Sequence, residues 1–318
     1  MTSAAGCARP RWWWKRPMRS CNKMVRFFLL LVVLFSAQAL ATDKSREELE
    51  DVVEEGSIES FIANAIAHAK ATVKPTTLEA ISADLRPHDK EYFPESDKPV
   101  PTVLFFHGCS GPTASHEQDW AKRFNGEGIG MIAVDSYAGR GIDWQQACNM
   151  QAMTPWQRSA DILATIEDVK NDSRVDAEQL YVAGFSHGAV TIWAALAQAS
   201  ANSAPIGLKE WPQVGFEQHV QGAFMFYGTC MQPWTVDVDA VQFLAEEDRY
   251  IEEEVCQAYL PNHPQQAGEL TLKLYEGATH TFDHADPNQA NIEAGSKYDP
   301  VATEDAWQTM LSMIKGGN

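Results

Sequence analysis

An α/β fold, with a mostly parallel sheet and helices on both faces, is predicted by three observations. Six short apolar runs, rich in β-branched and aromatic residues, alternate with segments of helical periodicity. One of these runs passes directly into Gly184-Phe-Ser-His-Gly188 and out into a further helical segment. No internal repeat or low-complexity linker interrupts residues 77–318, which read as one domain.

The elements follow in order. Ser45-Arg-Glu-Glu48 fits a capping box, and Leu49, Val52, Val53, Ile58, Phe61, Ile62 and Ile66 recur at helical spacing. This predicts a helical extension over 42–76. Leu78–Leu85 reads as a candidate strand, followed by a polar loop holding Pro87, Pro94, Pro99 and Pro101. Thr102–Phe106 (TVLFF) is the first buried strand, then come HGCSG and a helix around Glu117–Phe124. Gly130–Val134 (GMIAV) is a second strand. Thr154-Pro-Trp-Gln157 joins an N-cap, a proline at the first helical position and a glutamine at N3, opening a helix through Val169. Leu180–Ala183 is a third strand and His187–Ala199 a helix. Ala223–Tyr227, Ala240–Leu244 and Leu272–Tyr275 supply the remaining strands, and Thr303–Ile314 closes the chain as an amphipathic helix.

The first 41 residues differ from the rest. They carry seven Lys or Arg and no acid, the apolar run Phe27–Phe35, and then Ala39-Leu40-Ala41. A basic segment, a short apolar run and a small-x-small site predict a secretory signal peptide over 1–41. Met24 would make an ordinary signal start, so 24–41 reads as the core signal and 1–23 as a mis-called start or a dispensable extension. The apolar run falls short of the roughly 20 residues that a spanning helix takes, so no stable membrane insertion is expected after cleavage. An exported protein, periplasmic or secreted, is the expectation. Removing 1–41 leaves 18 Lys and Arg against 43 acids, a net charge near −25. So acidic a surface repels phosphate backbones and argues against nucleic-acid binding. Oligomeric state is not legible.

Four cysteines remain after the signal: Cys109, Cys148, Cys230 and Cys256. An even number in an exported chain predicts disulfides, and of the three pairings the sequential one, 109–148 and 230–256, is preferred. No C-x-x-C accompanies them, and no metal site is expected.

Gly-x-Ser-x-Gly is a weak signal alone, but here LYVA precedes it and AVTIWAALA follows. A strand-to-helix turn this tight would strain the serine backbone and leave no room for side chains at Gly184 and Gly188. Ser186 is thereby the candidate nucleophile, presented where the first N–H groups of a helix meet developing negative charge. A hydroxyl needs a base. His280, five residues past the last strand, is the candidate; His284 is the runner-up, while His219 and His263 lie in less suitable places. The strand AVQFL runs into Ala245-Glu-Glu-Asp248, where Asp248 is the preferred orienting acid and Glu247 its rival. The oxyanion donors expected are the backbone amides of His187 and Cys109. His107 also lies near the site. The run THTFDH reads as a loop, which weakens any metal reading of His280 and His284.

In this order, HGCSG, VDSYAGRG, Cys148, WQRSADI, GFSHG, FYGTC, FLAEED and EGATHTFD resemble the dienelactone hydrolase family of the α/β-hydrolase fold, especially an exported, cysteine-containing branch. The resemblance spans Thr77 to the C-terminus. It implies Ser186, Asp248 and His280 as the triad, Cys109 and His187 as oxyanion donors, Cys230 and Cys256 as a second cysteine pair, and Arg140 as a residue near the pocket. The enzyme that names the family uses cysteine as nucleophile; serine here implies a broader ester hydrolase. The expectation is an exported serine hydrolase acting on a small ester or lactone without a cofactor. An acyltransferase or peptidase on the same triad, and a silent binding protein of the same fold, are the alternatives.

Overall fold

The computed structural model describes residues 58–293 and 295–316. The chain divides into two compact units, Met1–Ala63 and Asn64–Asn318. Of the first, residues 58–63 are described, and they open helix α1 (Ile58–Thr72). The signal peptide expected over 1–41 and the beginning of the helical extension lie outside the described residues.

Helix α2 is Leu78–Leu85, where a strand was expected. The correction has a clear cause. Thr77 is an N-cap whose hydroxyl accepts the Ala80 N–H, and Ile81 and Leu85 are buried at helical spacing on one face. Next come β1 (Lys90–Tyr92), β2 (Val100–Phe106), α3 (Ala114–Gly126) and β3 (Gly130–Val134). A 3-10 turn at Ala138–Arg140 precedes α4 (Trp144–Cys148) and α5 (Pro155–Val169). Thr154 caps α5 through the Gln157 N–H, with Pro155 at its first position. Then follow β4 (Val175–Phe185), α6 (His187–Ala201), α7 (Phe216–His219), β5 (Val220–Phe226) and β6 (Asp239–Ala245). The chain ends with α8 (Glu253–Tyr259), β7 (Leu270–Tyr275), α9 (Gln289–Glu293) and α10 (Pro300–Gly316).

The seven strands form one sheet in the order β1-β3-β2-β4-β5-β6-β7. All neighbours are parallel except β1, which pairs antiparallel with β3 at the edge. Strand residues alternate between the two faces. Val103, Phe105, Tyr181, Phe185, Phe224, Phe226 and Phe243 point one way and pack with Trp120 and Phe124 of α3 and Trp307 and Met310 of α10. The alternate residues Leu104, Phe106, Val182, Ala223 and Met225 are equally buried, on the face that carries α6 with α5 against it. Burial on both faces is why these strands read as continuous apolar runs. The register sets Phe106 beside Gly184 and Phe185 beside Phe226, so the C-terminal ends of β2, β4 and β5 finish along one rim.

Candidate active site

Ser186 sits between β4 and α6 with φ 52° and ψ −113°, a conformation that L-residues rarely adopt. Its N–H donates to the Phe226 carbonyl at 2.9 Å, so the serine stays tied to β5 as the chain turns away. A Cβ at Gly184 would lie 2.4 Å from the Gly188 carbonyl oxygen, and one at Gly188 would lie 2.2 Å from that of Phe106. Both glycines are therefore required by backbone meeting backbone, and the turn can be no wider.

His280 comes from the loop after β7. Its Nε2 lies 3.0 Å from Ser186 Oγ and its Nδ1 lies 2.7 Å from Asp248 Oδ2. Asp248 follows β6. Its other oxygen accepts the N–H groups of Tyr250 and Ile251 at 2.8 and 3.1 Å, which holds the carboxylate rigidly. Its side chain is 1% exposed, whereas Glu247, the rival acid, turns to solvent. With the carboxylate accepting a hydrogen bond from Nδ1–H, Nε2 is left with its lone pair facing the serine hydroxyl, the tautomer that general-base chemistry needs. Ser186 itself is partly exposed and open to an incoming molecule.

His187 opens α6, so its N–H belongs to the first turn, which has no intrahelical acceptor. Its ring is buried: Nε2–H donates to the Met153 carbonyl at 3.3 Å and Nδ1 accepts from Arg158 at 3.2 Å. Burial, and then the Arg158 charge, push its pKa down to about 3, so the ring is neutral. Cys109 lies in the loop after β2 and is bonded to Cys148 at the end of α4; Cys230 is bonded to Cys256. The sequential pairing is the one present.

His107, expected near the site, and Arg140, which the resemblance places near the pocket, both have internal partners. His107 is buried, its Nδ1 bonded to the Gly108 carbonyl at 2.7 Å and its Nε2 accepting the Ser136 N–H at 3.3 Å. Arg140 donates twice to Asp161, at 2.9 and 2.8 Å, and once to the Ser136 carbonyl at 3.1 Å. Its fork is matched to a buried carboxylate, which fastens the loop after β3 to α5.

Several residues around the site carry no sequence signature. The Tyr227 ring lies 4.7 Å and the Tyr250 ring 5.0 Å from the His280 ring, flanking the imidazole. Tyr227 donates to Asp283 Oδ1 at 2.8 Å, and Trp120 and His116 reach Asp283 Oδ2 at 2.9 and 2.7 Å. Burial pushes Asp283 up, yet the charge and hydrogen bond of His116 hold it below the usual carboxylate range. This buried knot pins the His280 loop to α3 and β5. The ligand atoms of His116, Asp283 and His284 lie within 4.8 Å of one another, but the two imidazoles stack at 3.6 Å and 22°. Lone pairs in nearly parallel rings do not converge on an ion. Arg158 was also missed. It shares a helical stripe with Ile162 and Ile166, and a charge on an apolar stripe is the signal that could have found it.

A serine at a strained strand-to-helix turn, with a histidine and an acid from later strand ends at one rim of a parallel sheet, defines the α/β-hydrolase class. Within that class the chain belongs to the dienelactone hydrolase family, which it matches over residues 91–206 and 212–316. It is accordingly a carboxylic-ester hydrolase. Among curated proteins none matches it. Solved structures similar in fold include a dienelactone hydrolase-like promiscuous phosphotriesterase from metagenomic libraries, at 14% identity and TM-score 0.54, covering 72% of this chain and 91% of that one. A putative dienelactone hydrolase from Klebsiella pneumoniae subsp. pneumoniae aligns at 17% identity and TM-score 0.51, covering 70% and 89%. Esterase 2 of Thermogutta terrifontis, phosphonylated by cyclosarin, aligns at 14% and 0.53, covering 72% and 88%.

Proposed function

We propose that the protein is an exported serine hydrolase that cleaves small carboxylic esters or lactones through an acyl-enzyme. Ser186 Oγ attacks the carbonyl while His280 Nε2 takes its proton, and Asp248 stabilises the imidazolium that forms. The amides of His187 and Cys109 receive the negative charge of the tetrahedral intermediate. His280 then returns the proton to the leaving oxygen. Water, activated by the same imidazole, releases the acid. The reading rests on one observation: the continuous hydrogen-bonded chain from Ser186 Oγ through His280 to Asp248, beginning at a partly exposed, strained serine.

Export rests on the basic-apolar-small pattern of residues 1–41 and on two disulfides, with 42–76 as a helical extension and 77–318 as the hydrolase domain. Among the described residues no helix is long and apolar enough to cross a membrane. The test is hydrolysis of p-nitrophenyl acetate together with labelling by a fluorophosphonate. Wild type should turn over the ester and take one label; Ser186→Ala should do neither, and labelling that persists in the variant overturns the assignment.

A further inference from the structure

Arg158 is 0% exposed, and no other Lys or Arg among the described residues is so completely buried. Its Nε donates to Ser136 Oγ at 2.8 Å. Its Nη1 donates to the His107 carbonyl at 2.8 Å and to His187 Nδ1 at 3.2 Å. The Tyr137 ring lies 5.6 Å from Cζ, and Nη2 is buried without a hydrogen-bond partner among the described residues. No carboxylate there comes within ion-pair distance of it; Asp161, one helical turn further on, is already held by Arg140.

Guanidinium groups stay charged even when buried, and a buried charge is normally matched by an opposite one. Arg140 obeys that rule and Arg158 breaks it. An arginine held at such cost, with one nitrogen unpartnered, requires a compensating purpose. Its grip indicates where to look. The His107 carbonyl lies two residues before the Cys109 amide, and the His187 ring belongs to the residue that offers the other amide. Ser136, its third acceptor, lies two residues beyond the C-terminal end of β3.

We propose that Arg158 is the positioning residue of the oxyanion hole. It locks the His107–Cys109 loop and the first turn of α6 into one frame. It also places behind them a positive charge that meets its counter-charge only when the tetrahedral oxyanion forms. This rests on the reading of Ser186 as nucleophile. Preorganised charge of this kind acts on the transition state more than on the bound ester, because only the former carries a full negative oxygen.

The test compares wild type, Arg158→Lys and Arg158→Met with two ligands of one skeleton. A trifluoromethyl ketone adds to a serine oxygen and forms a bound oxyanion; the methyl ketone of the same shape binds without adding. In R158M, kcat for p-nitrophenyl acetate should fall about 10- to 100-fold with KM within about twofold. Affinity for the trifluoromethyl ketone should fall in the same ratio, and affinity for the methyl ketone should hold. R158K, which keeps the charge and loses the fork, should recover part of both. Should R158M fail to fold by circular dichroism, the ratio between the two ketones in R158K against wild type carries the same test. Equal losses on both ketones, or no loss on either, overturn the proposal and reduce Arg158 to a packing residue. If wild type shows no preference for the trifluoromethyl ketone, or Ser186→Ala keeps that preference, the nucleophile assignment fails instead.

Discussion

Asp248 serves His280 with one oxygen and two backbone N–H groups with the other, so its chemistry separates cleanly from its shape. Asn in its place keeps an acceptor but can present an N–H to Nδ1, which reverses the imidazole tautomer. Asp248→Asn should therefore lower kcat by on the order of 10⁴ while leaving the fold intact, measurable by burst and steady-state kinetics. At Gly188 the obstacle is steric. A methyl 2.2 Å from the Phe106 oxygen must push β2 and α6 apart, so Gly188→Ala should abolish fluorophosphonate labelling and destabilise by about 1–3 kcal/mol or more, read by denaturant unfolding. Asp89 offers a pH test. Burial, opposed by the Asp135 N–H it accepts, raises its carboxyl to about 7, with Asp161 and Asp135 adding repulsion. The native state thus holds a proton that the unfolded chain has shed. The associated stability is fully present below the ordinary carboxylate range and is lost as pH rises through about 7. Asp89→Asn should raise Tm by a few degrees at pH 8 and leave it unchanged near pH 4. A constant difference across that window would show that burial of Asp89 is not the cause.

The two disulfides differ in setting. Cys230 and Cys256 are 3% and 0% exposed, whereas Cys109 and Cys148 are both partly open to solvent. Mild dithiothreitol under native conditions should open 109–148 first, as peptide mapping would show. Replacing both of those cysteines by Ala frees a loop with a sequence separation of 39 and should cost about 3–4 kcal/mol. Sequence reading succeeded with elements of this interior and failed at its margin. The five inner parallel strands, β2 to β6, stood out because burial on two faces leaves mostly apolar side chains, whereas the half-buried edge strand β7 was read from its Leu272, Leu274 and Tyr275 alone. Strand β1 (Lys-Glu-Tyr) was invisible, since an exposed three-residue edge needs no pattern. Helix α2 was misjudged because a short apolar-rich segment fits either period until the Thr77 cap is weighed. The site divides along the same line. Ser186, His280 and Asp248 each follow a readable strand, so the topology foretold their meeting. Asp248 was preferred in the string with Glu247 as its rival, and the physical difference between them is which one turns inward. Tyr227, Tyr250 and Arg158 gained their places only through segments that converge from far along the chain.

For the molecule as a whole, the formal charge is −18. A net field of this sign repels anionic ligands until salt screens it. For an ester bearing a carboxylate, kcat/KM should rise with ionic strength, while a neutral ester of equal size should show a flat profile. Parallel behaviour of the two would mean that local cations near Ser186 override the global field. At the same scale, expression of the full chain in an exporting host should yield a mature protein beginning near Thr42, checked by intact mass. The turn at Ser186 also bears on how the molecule assembles. Its carbonyl and glycine contacts join β2, β4, β5 and α6, segments separated by up to 120 residues, and none of them can be made by a hairpin or a helix alone. A chain refolding from denaturant can regain its helical circular dichroism, and even bury its tryptophans, before that junction closes. Reactivity toward an organophosphonate should return last, so that competence to be labelled becomes a clock for the final step of folding.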